Sequence, residues 1–240
     1  MTISVAVFNL KGGTTKSTTT LNLGAALALL KLKVVLLDLD GQRTLSFGLG
    51  VDGKQPTVLD WFDRNEPFEP LILNKYLSIV PGDLDIFRWQ PRRESFQQVL
   101  RQLTGYQVVL FDCPPSLVAI TGQVLLHTDR VLLPTLCEPA SLKGVSEAVN
   151  LIRRSRDIPI EILRTRYRPR LVQTQQADET LVEGAGDLGY RLLYTTIPEN
   201  VAVSEAIGAQ QPVSMYAPKS PGAVAYQALA KECRKLWGVQ

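Results

Sequence analysis

Short apolar runs recur along the chain, each ended by a polar or glycine-rich turn. ISVAVF, KVVLLDL, LSIV, YQVVLFD, RVLLPT and IEILRT are rich in β-branched residues and mostly apolar at successive positions. A strand that is apolar on both faces belongs in a parallel sheet covered by helices on each side. Between these runs lie stretches with helical character: STTTLNLGAALALLK, SFQQVLRQL, SLKGVSEAVNLIRRS, ADETLVEGAGDLG and PGAVAYQALAKECRKLW. Their regular alternation predicts an α/β fold, a doubly wound, mostly parallel sheet flanked by helices with right-handed crossovers. No repeat, low-complexity tract or Gly/Ser linker interrupts it, so residues 1–240 are expected to form a single domain.

In such sheets, ligands bind at the carboxyl ends of the strands. Three of these ends carry polar signals: NLKGGTTKS after the first run, DLDGQ after the second, and DCPPS after YQVVLF. Loops distant in sequence are thereby expected to converge on one crevice. Gly12 and Gly13 let backbone N–H groups turn inward on a phosphate, and a helix beginning near Lys16 adds its positive N-terminus. In this frame Lys16 neutralises phosphate charge and the Ser17 hydroxyl reaches Mg2+. Asp112 closes a hydrophobic strand, the position from which a carboxylate holds Mg2+. Asp38 and Asp40 close another. One of them is expected to position or activate water and the other to shape the metal shell, although Asp38 also suits a loop cap.

Composition narrows the class. The 240 residues are 45% hydrophobic and 20% charged, enough to bury a full core. Apolar runs such as AALALL are too short to span a bilayer, and no export leader opens the chain. Three separated cysteines, Cys113, Cys137 and Cys233, suit a reducing compartment and give no disulfide framework. A cytoplasmic location is expected. The lone His127 cannot build a metal site with them and is expected to be structural. The net charge of +3 is unevenly spread: residues 153–170 hold seven arginines against Asp157 and Glu161, while the rest carries 19 basic and 21 acidic side chains.

Taken in order, these motifs resemble the ParA/MinD ATPases. KGGTTKST is similar to their deviant Walker A loop, K-G-G-x-G-K-S/T-T, and DLDGQ to their D-x-D-P-Q. FDCPPS matches D-C-P-P-S, TTIPENVAVSEA resembles T-x-I-P-R-N-x-x-x-x-E-A, and YAPKSPGAVAYQALAKE resembles the closing segment. The matches run from residue 3 to about 232, and the small partition ATPases are the best fit. The resemblance implies a deviant Walker P-loop NTPase fold, with ATP and Mg2+ as cofactors and ATP hydrolysis as the reaction. Lys11, Gly12, Gly13, Thr14, Thr15, Lys16, Ser17 and Thr18 would bind the phosphates. Ser17, Asp40 and Asp112 would hold the metal, and Lys11, Lys16 and Asp40 would be catalytic. Thr165, Pro198 and Asn200 match positions around the adenine. Lys11 matches the family's signature lysine, which reaches across a sandwich dimer to the partner's phosphates, a cation supplied in trans.

Four residues depart from the pattern. Thr15 stands where most relatives have Gly, and the loop is expected to keep it at negative φ because every other part of the site is present. Gly41 replaces a Pro and is expected to loosen its segment. Glu199 replaces an Arg, so an Arg contact near the base is not carried over. Ala217 replaces an Asp.

The arginines have their own implication. Arg164, Arg166, Arg168 and Arg170 alternate and would share one face of an extended segment. With Arg153, Arg154, Lys219, Lys231, Arg234 and Lys235 they are expected to form a basic surface for DNA phosphates, without sequence preference, as the family resemblance implies. A ParB-like or other cargo adaptor is the implied protein partner, with plasmid, chromosome or carboxysome as cargo and the nucleoid as location. The alternative is a MinD-like membrane switch, for which the tail LAKECRKLWGVQ offers Leu229, Cys233, Leu236 and Trp237 near one helical face. The same stripe suits packing on the core, and membrane association is not expected. An electron carrier with a shared iron–sulfur cluster would need two suitable cysteines, and Cys113 and Cys137 have the wrong surroundings.

Overall fold

The computed structural model describes residues 2–64, 69–90 and 95–240. Eight strands form one sheet: β1 (Ile3–Val7), β2 (Val34–Asp38), β3 (Leu71–Asn74), β4 (Leu77–Val80), β5 (Val108–Asp112), β6 (Arg130–Leu136), β7 (Ile160–Tyr167) and β8 (Arg191–Pro198). Their order is β3-β4-β2-β5-β1-β6-β7-β8. Every neighbouring pair is parallel except β3 with β4. The helices are α1 (Lys16–Leu29), α2 (Thr44–Gly48), α3 (Val58–Arg64), α4 (Ser95–Gln102), α5 (Ala119–His127), α6 (Pro139–Ser155), α7 (Val172–Leu188), α8 (Val201–Gly208), α9 (Val213–Tyr216) and α10 (Pro221–Trp237). The doubly wound α/β architecture expected from the apolar runs is the one observed.

Alternate residues of each central strand feed two separate cores. Phe8, Leu37, Phe111, Leu133 and Ile162 pack under α3 to α7. Val5, Leu36, Leu110, Leu132 and Leu163 pack under α1 and α8 to α10. Both faces being covered explains why these strands read as continuous apolar runs. Two strands went unpredicted, β3 and β8, and both lie at the sheet edges. β3 alternates half-buried and exposed positions and β8 buries only Leu193 and Ile197, so neither shows a long apolar run. The β8 edge is closed by a side chain: the Glu232 carboxylate of α10 accepts from the amides of Tyr194 and Thr195 at 2.8 and 2.9 Å.

The site follows from the strand order. β1 lies between β5 and β6, and the chain leaves it over one side of the sheet to β2 and later returns to β6 on the other. The carboxyl ends of β1, β2 and β5 therefore open on a common crevice. Register fixes it closely: Asp112 pairs with Val7 of β1 and with Asp38 of β2.

Candidate phosphate and nucleoside site

The segment after β1 is tied down before it turns. Asn9 donates from Nδ2 to the Pro134 carbonyl of β6 at 2.8 Å, and its Oδ1 accepts the Lys11 amide at 3.0 Å. Gly13 then turns with φ 73°, and α1 begins at Lys16. No side chain caps α1 and its first turn carries no acid, so its leading amides are left for an anion. A Cβ added at Gly12 or Gly13 would meet nothing within 4 Å, so the cradle they form is open.

Thr15 corrects the expectation of negative φ. It sits at the N-cap of α1 with φ 68° and ψ 26°, in the left-handed region. The loop accepts this strain, on the order of 1–3 kcal/mol for a β-branched residue, rather than avoiding it. The Thr15 hydroxyl is buried with no hydrogen-bond partner.

Lys16 is buried at 7% exposure, and its ammonium donates to the Lys11 carbonyl at 3.3 Å. Burial lowers its pKa, while the charges of Asp112 and Asp40 pull it back up. Asp112 is fully buried and its pKa is raised well above the usual carboxylate range by burial, then by the charges of Asp38 and Asp40; Ser17 and Lys16 oppose the shift. The Thr20 hydroxyl donates to Asp112 Oδ1 at 3.3 Å, while Oδ2 is buried without a partner. An orphaned carboxylate oxygen between a serine and two further acids fits a hard divalent cation. Among the described residues no three His, Cys, Asp or Glu side chains converge as a cage. Mg2+ does not need one, since it keeps waters and takes substrate phosphates as ligands.

Asp38 and Asp40 differ sharply. Asp38 is buried, and its Oδ2 accepts the Ser46 amide at 2.9 Å and the Ser46 hydroxyl at 2.6 Å. It ties α2 to the end of β2, the capping role that was one of its two expected uses. Asp40 is only half-buried and opens on a cavity of about 370 Å³ with Gly41, Gln42, Leu84, Phe87 and Ser116. Gly41 does not stand alone in this segment: the Arg43 amide donates to the Asp40 carbonyl at 2.8 Å, and Arg43 pairs with Asp52 at 3.3 Å.

Thr165, Pro198 and Asn200, distant in sequence, come together in a cavity of about 490 Å³ that reaches Gly13, Thr15 and Thr18. Arg166 lines it too, as do Val203, Ile207 and Tyr226, which the sequence did not single out. Thr165 faces inward, its hydroxyl bonded to the Thr135 carbonyl at 3.1 Å. Asn200 Oδ1 accepts the Gly222 amide at 3.3 Å and fixes the start of α10. Glu199 holds Arg166 at 2.8 Å and Arg168 by a shorter contact, so the acid that departs from the family pattern now clamps two arginines at the cavity rim.

Four of the arginines, Arg153, Arg164, Arg166 and Arg168, are paired with acids. Arg164 turns inward, paired with Asp178 at 2.7 Å and bonded to the Leu193 carbonyl at 2.6 Å, and leaves the expected DNA surface. The alternation also fails at Arg166, whose φ of 46° breaks the extended run. Arg153 is bound to Asp157 at 2.5 Å and to the Gly189 carbonyl. Arg154, Arg170, Lys219, Lys231, Arg234 and Lys235 are exposed. Lys219 lies just ahead of α10 and Arg234 and Lys235 in its last turn, so roughly 20 Å of helix separates them.

The tail stripe packs inward: Leu229, Cys233 and Trp237 are buried and Leu236 is partly so. No helix among the described residues is long and apolar enough to cross a membrane. Cys113 and Cys137 are buried free thiols, and burial pushes Cys137 up to about 11. His127 bonds the Gln123 carbonyl at 2.8 Å and packs on Phe96.

A strand, a glycine loop, a helix opening on an anion cradle and an acid closing the neighbouring strand define a P-loop nucleotide-binding protein. The comparisons are specific. A model of the AAA domain family AAA_31 matches residues 2–162. An uncharacterized protein of Mycobacterium tuberculosis is 36% identical over 98% of this chain and 79% of its own length. The chromosome partitioning protein ParA of Caulobacter vibrioides is 33% identical over 95% of this chain and 92% of its own. Among solved structures, the septum site-determining protein MinD of Pyrococcus horikoshii, complexed with Mg-ADP, is 28% identical, with a TM-score of 0.83 over 100% of this chain and 98% of that one. The chain belongs to the AAA_31 family and is a ParA/MinD-type ATPase.

Proposed function

We propose that the protein is a Mg2+-dependent ATPase switch that dimerises around ATP, binds DNA without sequence preference in that state, and positions a cargo through an adaptor protein. The observation that carries it is the crevice itself, where Lys16, the open α1 N-terminus and the unpartnered Asp112 oxygen face one another across β1 and β5.

In this reading the backbone of Gly12 to Lys16 and the Lys16 ammonium bind the phosphates. Ser17 and Asp112 hold Mg2+, which supplies charge neutralisation at the phosphate oxygens. Asp40, beside an open cavity, orients the attacking water, and Asp38 holds the segment that carries it. Thr165, Pro198 and Asn200 bound the adenine. Lys11 acts on the partner's nucleotide. The exposed Arg154, Arg170, Lys219, Lys231, Arg234 and Lys235 are the DNA contacts, and Arg164 is not. Partition relatives support the DNA-based reading over a membrane one, as does the core packing of the tail stripe.

The test is ATP turnover and gel filtration with ATP, with and without DNA, for wild type, Lys11→Ala and Asp40→Ala. Wild type should turn over slowly. Asp40→Ala should retain ATP and accumulate as dimer, and Lys11→Ala should bind nucleotide but neither hydrolyse it nor dimerise. A wild-type protein that stays monomeric with a non-hydrolysable analogue would refute the switch.

A further inference from the structure

The lysine assigned to a neighbouring protomer is already engaged within its own. Lys11 Nζ donates to Glu138 Oε1 at 2.7 Å and to Ser141 Oγ at 3.0 Å, and Ser141 Oγ donates to the same Glu138 oxygen at 3.2 Å. Glu138 is the N-cap of α6 and Ser141 lies in its first turn. The lysine stem rests on the same helix, since a Cβ on Gly144 would stand 3.5 Å from the Lys11 Cβ. Its backbone is held by Asn9. The Glu138 side chain makes no capping bond to α6, although a carboxylate is favoured beside a helix N-terminus. It serves Lys11 instead.

We propose that Glu138 and Ser141 form a latch that holds Lys11 in its own subunit at rest and competes with the phosphates of nucleotide bound by a second copy of this chain, an inference that rests on the dimeric reading above. The ion pair is partly open to water, with side chains 30% and 40% exposed. A pair so placed biases the side chain toward the held position by roughly two- to fivefold. Such a bias yields to a triphosphate yet restrains dimer formation when nucleotide is scarce. The ammonium exchanges one anionic partner for another.

The test compares wild type with Glu138→Gln and Ser141→Ala, each first shown to melt within a degree or two of wild type. Lys11 reactivity is read on the nucleotide-free protein by limited acetylation with acetic anhydride and mass spectrometry, relative to other lysines. Dimer fraction is read by sedimentation velocity against concentration of a non-hydrolysable ATP analogue, with fluorescent ADP reporting single-subunit affinity. In both variants Lys11 should acetylate about two- to fivefold faster, and the dimerisation midpoint should fall by a similar factor while ADP affinity holds. Unchanged Lys11 reactivity, or dimers whose midpoint does not fall, would overturn the latch alone. Absence of dimer in every protein, wild type included, would overturn it together with the dimeric reading.

Discussion

A methyl group on Gly82 would stand 2.9 Å from Cγ of Asp38. The Gly82 amide also donates to Ser46 Oγ at 2.9 Å, and Ser46 in turn holds Asp38. Three segments, the ends of β2 and β4 and the start of α2, thus meet at one buried carboxylate. Gly82→Ala must push Asp38 off Ser46, because a clamped carboxylate rather than a flexible tip is in the way. A loss of roughly 1–3 kcal/mol is expected, measured by thermal or denaturant unfolding. Nucleotide affinity should fall less than turnover, since Asp38 carries the Asp40 segment.

Burial raises the Asp38 pKa to about 6, against the bonds from Ser46. A carboxyl whose folded pKa lies above its unfolded value binds protons more tightly when folded. Its stabilising effect is present below the unfolded pKa and is lost as pH rises toward 6. Asp38→Asn removes this dependence. Melts of the two proteins should diverge by about 1–2 kcal/mol in favour of the variant between pH 4.5 and 7. A constant difference across that window would show that Asp38 is not the titrating group.

Thr15→Gly removes a left-handed β-branched residue, with part of the gain offset by the flexibility of glycine in the unfolded chain. A net gain near 1 kcal/mol, or a rise in Tm of about 2–4 °C, is expected. Calorimetric titration with ATP should show wild-type binding that the variant matches or exceeds. Wild-type binding too weak to detect, restored by the variant, would mean that the threonine strains the cradle itself.

Arg164 and the tail cations separate fold from surface. Arg164→Ala leaves Asp178 with the Tyr167 hydroxyl but without its cationic partner in a mostly buried setting, at a cost on the order of 3 kcal/mol and a Tm drop of roughly 6–12 °C. Arg234→Ala with Lys235→Ala should leave Tm nearly unchanged and weaken DNA binding by the ATP-bound protein. The slope of log affinity against log salt should shrink by about 0.9 for each phosphate that is no longer neutralised. An unchanged slope would remove the end of α10 from the DNA surface.

The order of residue types was enough to specify the six inner strands of the sheet and the position of the glycine loop. Central strands buried on both faces must be apolar at every position, so Val34 to Leu37 and Val108 to Phe111 announce themselves without context. Glycine pairs and Lys16-Ser17 are likewise local, since the backbone turn and the helix start need those residue types wherever they occur. Edge strands β3 and β8 escaped because one open face dilutes the pattern. What each polar side chain meets was settled by folding alone. Asp38 and Asp40 are two positions apart, yet one is a buried clamp and the other opens on a cavity. Arg164 and Arg170 carry the same charge, yet one is tied to Asp178 and the other is exposed. Lys11 meets Glu138 across 127 positions of sequence. Apolar burial sums over a run of residues and so leaves a periodic trace. A hydrogen bond or ion pair depends on two single atoms brought within about 3 Å, and that distance exists only once the chain is folded.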